Sequence, residues 1–128
     1  WHAHAFATAR THELRGPRGE GQQIRVISAA SFVARKLVSY ASRGRGDPLH
    51  HDLEDIVAVV DGRASLVEEL HAEAPALRAF VATAVERLFA GGLNDTAAYH
   101  LPSDSASQAR LPLVVERFRK LSAMGSGQ

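Results

Sequence analysis

The run from His50 to Val60 constrains this chain more than any other stretch. Leu53, Ile56, Val57 and Val60 recur at spacings of 3, 4 and 7, which places them along one face of an α-helix. Strand faces alternate every second residue, so this stripe does not fit a strand. The stripe has to be covered, and the rest of the chain must supply the cover. Asp61-Gly62 ends the run, and Gly62 suits a left-handed cap.

The covering helices can be read on either side. From Ser31, placed to cap an amino end, Val33, Leu37 and Tyr40 make an apolar face through about Ser42. Arg43-Gly44-Arg45-Gly46-Asp47-Pro48 then breaks the helix and forms a basic loop. Further helices are predicted at about Ala64–Ala74, Pro75–Ala90 and Asp104–Ala123. Leu77, Phe80, Val81, Ala84 and Leu88 form the buried stripe of one, and Leu111, Val114, Val115, Phe118 and Leu121 that of the last. Pro75 fits a first-turn position. Pro112 either kinks the last helix or marks its true start.

Ahead of Ser31 the pattern differs. Residues 1–9 are alanine-rich and read as the tail of a helix whose start is missing. Thr11–Arg15 and Gln23–Ser28 read as short strands joined by a Gly/Pro-rich turn. A two-stranded hairpin is marginal alone, so it belongs to the edge of a larger sheet. The expected architecture is mainly α, a bundle of about five helices with a small N-terminal antiparallel β-hairpin. Residues 1–28 form the β-containing part, 29–124 the helical domain, and 125–128 a frayed tail.

Composition narrows the classes. The 128 residues are 45% hydrophobic and 23% charged, ordinary for a globular chain. With no cysteine, disulfides and thiolate metal sites are excluded. No apolar run approaches the roughly 20 residues of a membrane span, and Trp1-His2-Ala3-His4 lacks signal-peptide character. Cytoplasm is the remaining default. Trp1 in place of methionine argues that the sequence does not begin at a natural start. A net charge of +1 gives no basis for sequence-independent nucleic-acid binding. The charge is uneven, however: residues 1–49 carry eight Lys/Arg against three Asp/Glu, and the remainder seven against eleven. Either an anionic ligand site or the mutual attraction of two halves accounts for that asymmetry.

Two clusters carry candidate chemistry. Lys36, Arg43 and Arg45 form the first. Lys36 and Arg43 are seven apart, about two helical turns, and share a side away from Leu37. Lysine as a point charge and arginine as a planar fork both grip phosphate, although a solvated basic face explains them equally well. His50-His51-Asp52-Leu53-Glu54-Asp55 is the second. Asp52 and Asp55 are neighbours on the helix surface, where interaction with the helix dipole suffices as an explanation. Val59 lies on their side, off the main stripe, as if that face met a second surface. His51-Asp52 also admits a metal-dependent phosphohydrolase, but His2, His4, His12, His71 and His100 offer no evident distant ligands. No Gly-rich phosphate loop, zinc signature or serine-nucleophile motif is present.

Taken in order, Ile24-Arg25-Val26-Ile27-Ser28-Ala29, Phe32-Val33-Ala34-Arg35-Lys36-Leu37, Arg43-Gly44-Arg45-Gly46-Asp47, His51-Asp52-Leu53-Glu54-Asp55-Ile56 and Val59-Val60-Asp61-Gly62-Arg63 resemble one family. It is the nucleotidyltransferase-like proteins related to the AbiEii-type toxins of bacterial toxin–antitoxin systems. The similarity is strong over roughly residues 22–63 and weaker elsewhere, where Ser107-Gln108-Ala109-Arg110 also looks similar. The resemblance implies a polymerase-beta-like fold, a nucleoside triphosphate with magnesium, and nucleotidyl transfer by two metals on acidic residues. Those catalytic carboxylates belong to motifs expected upstream of Trp1, so residues 1–28 become the remnant of the α/β core. Lys36 matches the family's phosphate-contacting lysine. Asp52 and Asp55 match an Asp-x-x-Asp element that positions the lysine, basic groups or nucleotide, and Arg43, Arg45 and Asp47 match the loop between. Arg35 stands where the family often has threonine.

Three functions follow. The leading one is the C-terminal portion of a nucleotidyltransferase-like protein, inert alone, closing over a nucleotide. The second is a non-catalytic helical module that binds an antitoxin, a nucleic-acid target, the missing N-terminal part or a second copy. The third is the metal phosphohydrolase.

Overall fold

A computed structural model describes residues 10–14, 22–44, 47 and 49–125. The described chain is mainly helical. Its helices are α1 (Ala29–Ser39), α2 (His51–Gly62), α3 (Leu66–His71), α4 (Pro75–Ala90), α5 (Leu93–Thr96), α6 (Ser105–Gln108) and α7 (Leu111–Ala123). A π-helical turn, Tyr40–Gly44, extends α1, and a 3-10 turn, Ala97–His100, follows α5. Ahead of them, the backbone of β1 (Arg10–Leu14) pairs antiparallel with that of β2 (Gln22–Val26), Arg10 opposite Val26. Residues 15–21 lie outside the described residues, and with them the turn of the expected hairpin. Residues 1–9 and 126–128 also lie outside.

The stripe on α2 is buried as its spacing requires: Ile56, Val57 and Val60 have no exposed surface and Leu53 almost none. α1 packs on α2, and α4 packs against α7. Val33, Leu70, Leu77, Val81, Val85, Val114, Phe118 and Leu121 complete the core at zero exposure. Each such side chain contributes about 1.5–3 kcal/mol relative to exposure. Val85 was not among the predicted stripe residues. Phe80 and Ala84, which were, pack only at the edge.

Several boundaries differ from the sequence reading. Ser31 does not cap α1. Ser28 does, in an extended conformation, with its Oγ accepting the Ser31 N–H at 3.1 Å. Ala29 and Ala30 are strong helix formers and carry the helix back toward that cap, leaving Ser31 buried. The α-helix ends at Ser39 rather than near Ser42. Gly62 does not take the left-handed cap. α2 runs through it to Arg63, which is extended at φ −119°. At that end α7 contributes donors: Arg117 Nη1 donates to the carbonyls of Val60 at 2.9 Å and Asp61 at 2.8 Å. These are among the last-turn carbonyls that have no intrahelical donor, and the Val59 carbonyl accepts the Arg63 N–H at 2.9 Å. Gly92, after α4, is the positive-φ glycine among the described residues, at 99°. α3 is shorter than predicted at both ends.

The long last helix is two. Asp104 caps α6, its carboxylate accepting the Ser107 N–H and hydroxyl at 2.9 and 2.7 Å. Pro112 sits in the first turn of α7 and so marks a start rather than a kink. Gln108 ties α6 to the 3-10 turn by donating to the Ala98 carbonyl at 2.9 Å. Gly125 lies close to Ala82 of α4, where an added Cβ would approach to 3.0 Å. Among the described residues, no helix is long and apolar enough to cross a membrane.

Candidate functional site

The site forms where the C-terminal end of α1 meets the N-terminal end of α2. Lys36 stands in the last turn of α1, where a cation complements the helix dipole. Ser39 follows one turn later on the same side. Opposite them His50, extended, caps α2 by accepting the Asp52 N–H on Nδ1 at 3.1 Å. That cap turns Asp52 inward, where its side chain has zero exposure.

A buried carboxylate must be paired and hydrogen-bonded. Asp52 Oδ2 accepts the Ser39 hydroxyl at 2.8 Å and Arg43 Nη2 at 3.4 Å, and Oδ1 accepts Lys36 Nζ at 3.3 Å. Burial alone would push the Asp52 carboxyl upward. The Ser39 hydrogen bond, the Lys36 hydrogen bond and the Arg43 charge together outweigh it and hold the group below the ordinary carboxylate range. Lys36 also pairs with Asp55 Oδ2 at 2.7 Å. The Asp55 hydrogen bond raises the Lys36 pKa against the opposing effect of desolvation, with Asp52 adding to it, so the ammonium stays charged. The Arg43 guanidinium bonds the Ser39 hydroxyl through Nε at 2.9 Å and through Nη2. One hydroxyl therefore links the arginine to the carboxylate. Arg43 remains 64% exposed, which leaves its charge available to a ligand.

On the outer side of α1 is an open basin of about 510 Å³, lined by Phe32, Arg35, Lys36, Val38, Ser39, Ser42 and Arg43. Three cations face it. Lys36 Nζ lies 5.6 Å from the Phe32 ring centroid, a cation–π distance. Arg35 Nε is buried without a hydrogen-bond partner among the described residues.

The sequence-predicted residues are thus partly assembled. Lys36, Arg43, Asp52 and Asp55 come together. Asp47 stands apart from that network: its Oδ1 accepts the Leu49 N–H at 2.9 Å, a local turn contact. Arg45 lies outside the described residues. Sequence reasoning missed Ser39, Ser42, Phe32 and the capping role of His50. For Ser39, the i+3 spacing from Lys36 and i−4 spacing from Arg43 was a usable signal. Of the Arg110 tetrapeptide, Arg110 forms a fork on Asp61 at 2.8 and 2.9 Å, a structural clamp between α7 and the end of α2.

His50, His51 and Asp52 bring ligand-type atoms within 4.8 Å of one another. The donor set does not fit a metal. His50 Nδ1 already accepts the Asp52 N–H, and both Asp52 oxygens are engaged by Ser39, Lys36 and Arg43. A cation there would face the two positive charges of Lys36 and Arg43 that already pair with the carboxylate. The same argument applies to magnesium held by Asp52, so no step through a metal is derived from these residues.

Comparison with protein-family models, with curated proteins and with solved structures returns no match.

Proposed function

We propose that the basin on α1 grips the phosphates of a nucleoside triphosphate, and that the chain is the C-terminal portion of a nucleotidyltransferase-like protein of the AbiEii-related type. One observation carries the reading: Lys36 and Arg43, two cations at the wall of an open basin, are both held by one fully buried carboxylate. Preorganised cations lose less freedom on binding, and that is what a polyphosphate site requires. The ordered motif resemblance over roughly residues 22–63 supplies the second support. In this reading β1 and β2 belong to the α/β core, the nucleotide brings its magnesium, and the protein works in the cytoplasm. Transfer chemistry needs carboxylates that the resemblance places ahead of this segment, so the chain alone binds without reacting.

The test is titration calorimetry with each of ATP, GTP, CTP and UTP in magnesium, on the wild type and on Lys36→Ala. Loss of a charge-assisted contact worth about 1.5–3 kcal/mol weakens binding roughly ten- to hundredfold. Absence of binding to the wild type by all four, or an unchanged constant in the variant, overturns the proposal.

A second reading, a helical module that binds an antitoxin-like protein or a second copy, is favoured by a different feature. Ile27, Ala29, Phe32 and Val59 line an open groove with Gly62 and Arg63. Val59 is the residue whose off-stripe position marked that face in the sequence. Sedimentation over a wide concentration range separates the readings: a strictly monomeric chain removes self-association.

A further inference from the structure

Arg43 is the most exposed cation of the network that holds Asp52, and its guanidinium stays in place only if the backbone beneath it does. That backbone is a π-helical turn, Tyr40–Gly44, a geometry that recurs at functional positions in helices. Its shape is fixed from outside the turn. The Tyr40 hydroxyl donates to the Asp47 carbonyl at 2.8 Å, and the Asp47 N–H donates to the Gly44 carbonyl at 2.8 Å. The Asp47 carbonyl also accepts the His50 N–H at 3.2 Å. The Tyr40 ring lies on Gly44 so closely that a Cβ there would stand 2.3 Å from Cδ1 and 2.6 Å from Cε1. Its edge meets the His50 ring at 6.0 Å between centroids. Tyr40 therefore joins the start of the turn, the residue after Arg43, and the cap of α2. The hydrogen bond of the tyrosine hydroxyl goes to the Asp47 carbonyl, outside the Asp52 network.

We infer that Tyr40 is a positioning residue for Arg43. Its ring on Gly44 and its hydroxyl on Asp47 clasp the π-helical turn, so that the guanidinium meets an anionic ligand already oriented. The inference rests on the phosphate-binding reading for its ligand, but not for its geometry. Glycine is required at position 44 because any side chain would push the ring away. Aspartate at 47 contributes its backbone and a local turn rather than a charge to the ligand.

The test is Tyr40→Phe, which keeps the ring and removes only the hydroxyl. It is measured in the wild type, in Arg43→Ala and in Lys36→Ala backgrounds with magnesium–ATP. Losing one neutral hydrogen bond that positions the arginine weakens ATP about three- to tenfold. That factor disappears in the Arg43→Ala background and persists in the Lys36→Ala background. A factor of one in the wild type, or equal factors in both backgrounds, overturns the inference. The side-chain Nε–H resonance of Arg43 provides an independent readout that needs no ligand. It is protected from exchange in the wild type and loses that protection in Tyr40→Phe. Should ATP fail to bind at all, the phosphate reading falls, and this resonance alone decides the clasp: unchanged protection in the variant refutes it.

Discussion

Asp52→Asn removes one charge and almost no volume from a side chain with zero exposure. Three donors converge on that carboxylate, and they are not of equal worth. The Ser39 bond at 2.8 Å is near ideal, whereas the Lys36 and Arg43 contacts, at 3.3 and 3.4 Å, are long and come from side chains 25% and 64% exposed. A buried hydrogen bond to a charged group contributes about 1.5–3 kcal/mol. Exposed ion pairs contribute about 0–1 kcal/mol each. Asparagine keeps one acceptor oxygen but turns an amide N–H toward a cation, so roughly 2–4 kcal/mol is lost at neutral pH. Against a urea slope of about 1–3 kcal/mol/M, the unfolding midpoint falls by ~0.7–4 M. The pH dependence follows from the direction of the shift. The Asp52 carboxyl is held below its ordinary value of 3.8 in the folded state. Its contribution is therefore fully present above that value and is lost as pH falls through the depressed folded value. Paired urea titrations of wild type and variant at neutral pH, and stepwise to the lowest pH at which the wild type still folds, read the difference. A midpoint shift below about 0.5 M at neutral pH would refute the claim that the ionised carboxylate holds the site together. So would a shift that does not narrow as the solution becomes acidic.

Two further outcomes are expected. Gly44→Ala forces the Tyr40 ring off its seat and breaks its bond to Asp47; a cost of about 1–3 kcal/mol is expected from such overpacking, read as a lower urea midpoint, and an unchanged midpoint contradicts the close approach. Arg117→Ala strips donors from the Val60 and Asp61 carbonyls and costs about 1–3 kcal/mol, with amide exchange rising first at the end of α2; uniform exchange across the helices speaks against a local clamp.

What the sequence disclosed and what it hid divide along physical lines. The α2 stripe and the Pro75 start were legible because periodicity and proline geometry are local. The cap of α1 was misplaced by one turn: Ser28 and Ser31 are both competent caps, and the choice depends on whether Ala29 and Ala30 join the helix. Gly62 was assigned a left-handed turn, but the helix runs through it, and the end of α2 is bonded by Arg117, which lies 57 residues beyond Val60 in sequence. Distant donors are invisible to a local pattern. For the candidate site, the shared side of Lys36 and Arg43 followed from spacing, whereas their partner Asp52 did not; only the family resemblance offered it, as part of an element positioning the lysine and basic groups. Asp52 lies sixteen residues beyond Lys36, and only tertiary packing reveals that the first turn of α2 faces the last turn of α1. Ser39, small and unremarkable in composition, was passed over although its hydroxyl is the bridge.

The double arginine contact from α7 to the end of α2 bears on the order in which the chain matures. Asp61 and Val60 emerge from the ribosome well before Arg110 and Arg117, which complete them from 49 and 57 residues later. A nascent chain released only as far as α4 carries an α2 whose carboxyl end lacks the arginine bonds from α7. Vectorial synthesis therefore leaves the carboxyl end of α2 without these donors until α7 clears the exit tunnel, and a premature stop ahead of Arg117 yields a chain with every cation of the basin but without the Arg117 bonds to Val60 and Asp61.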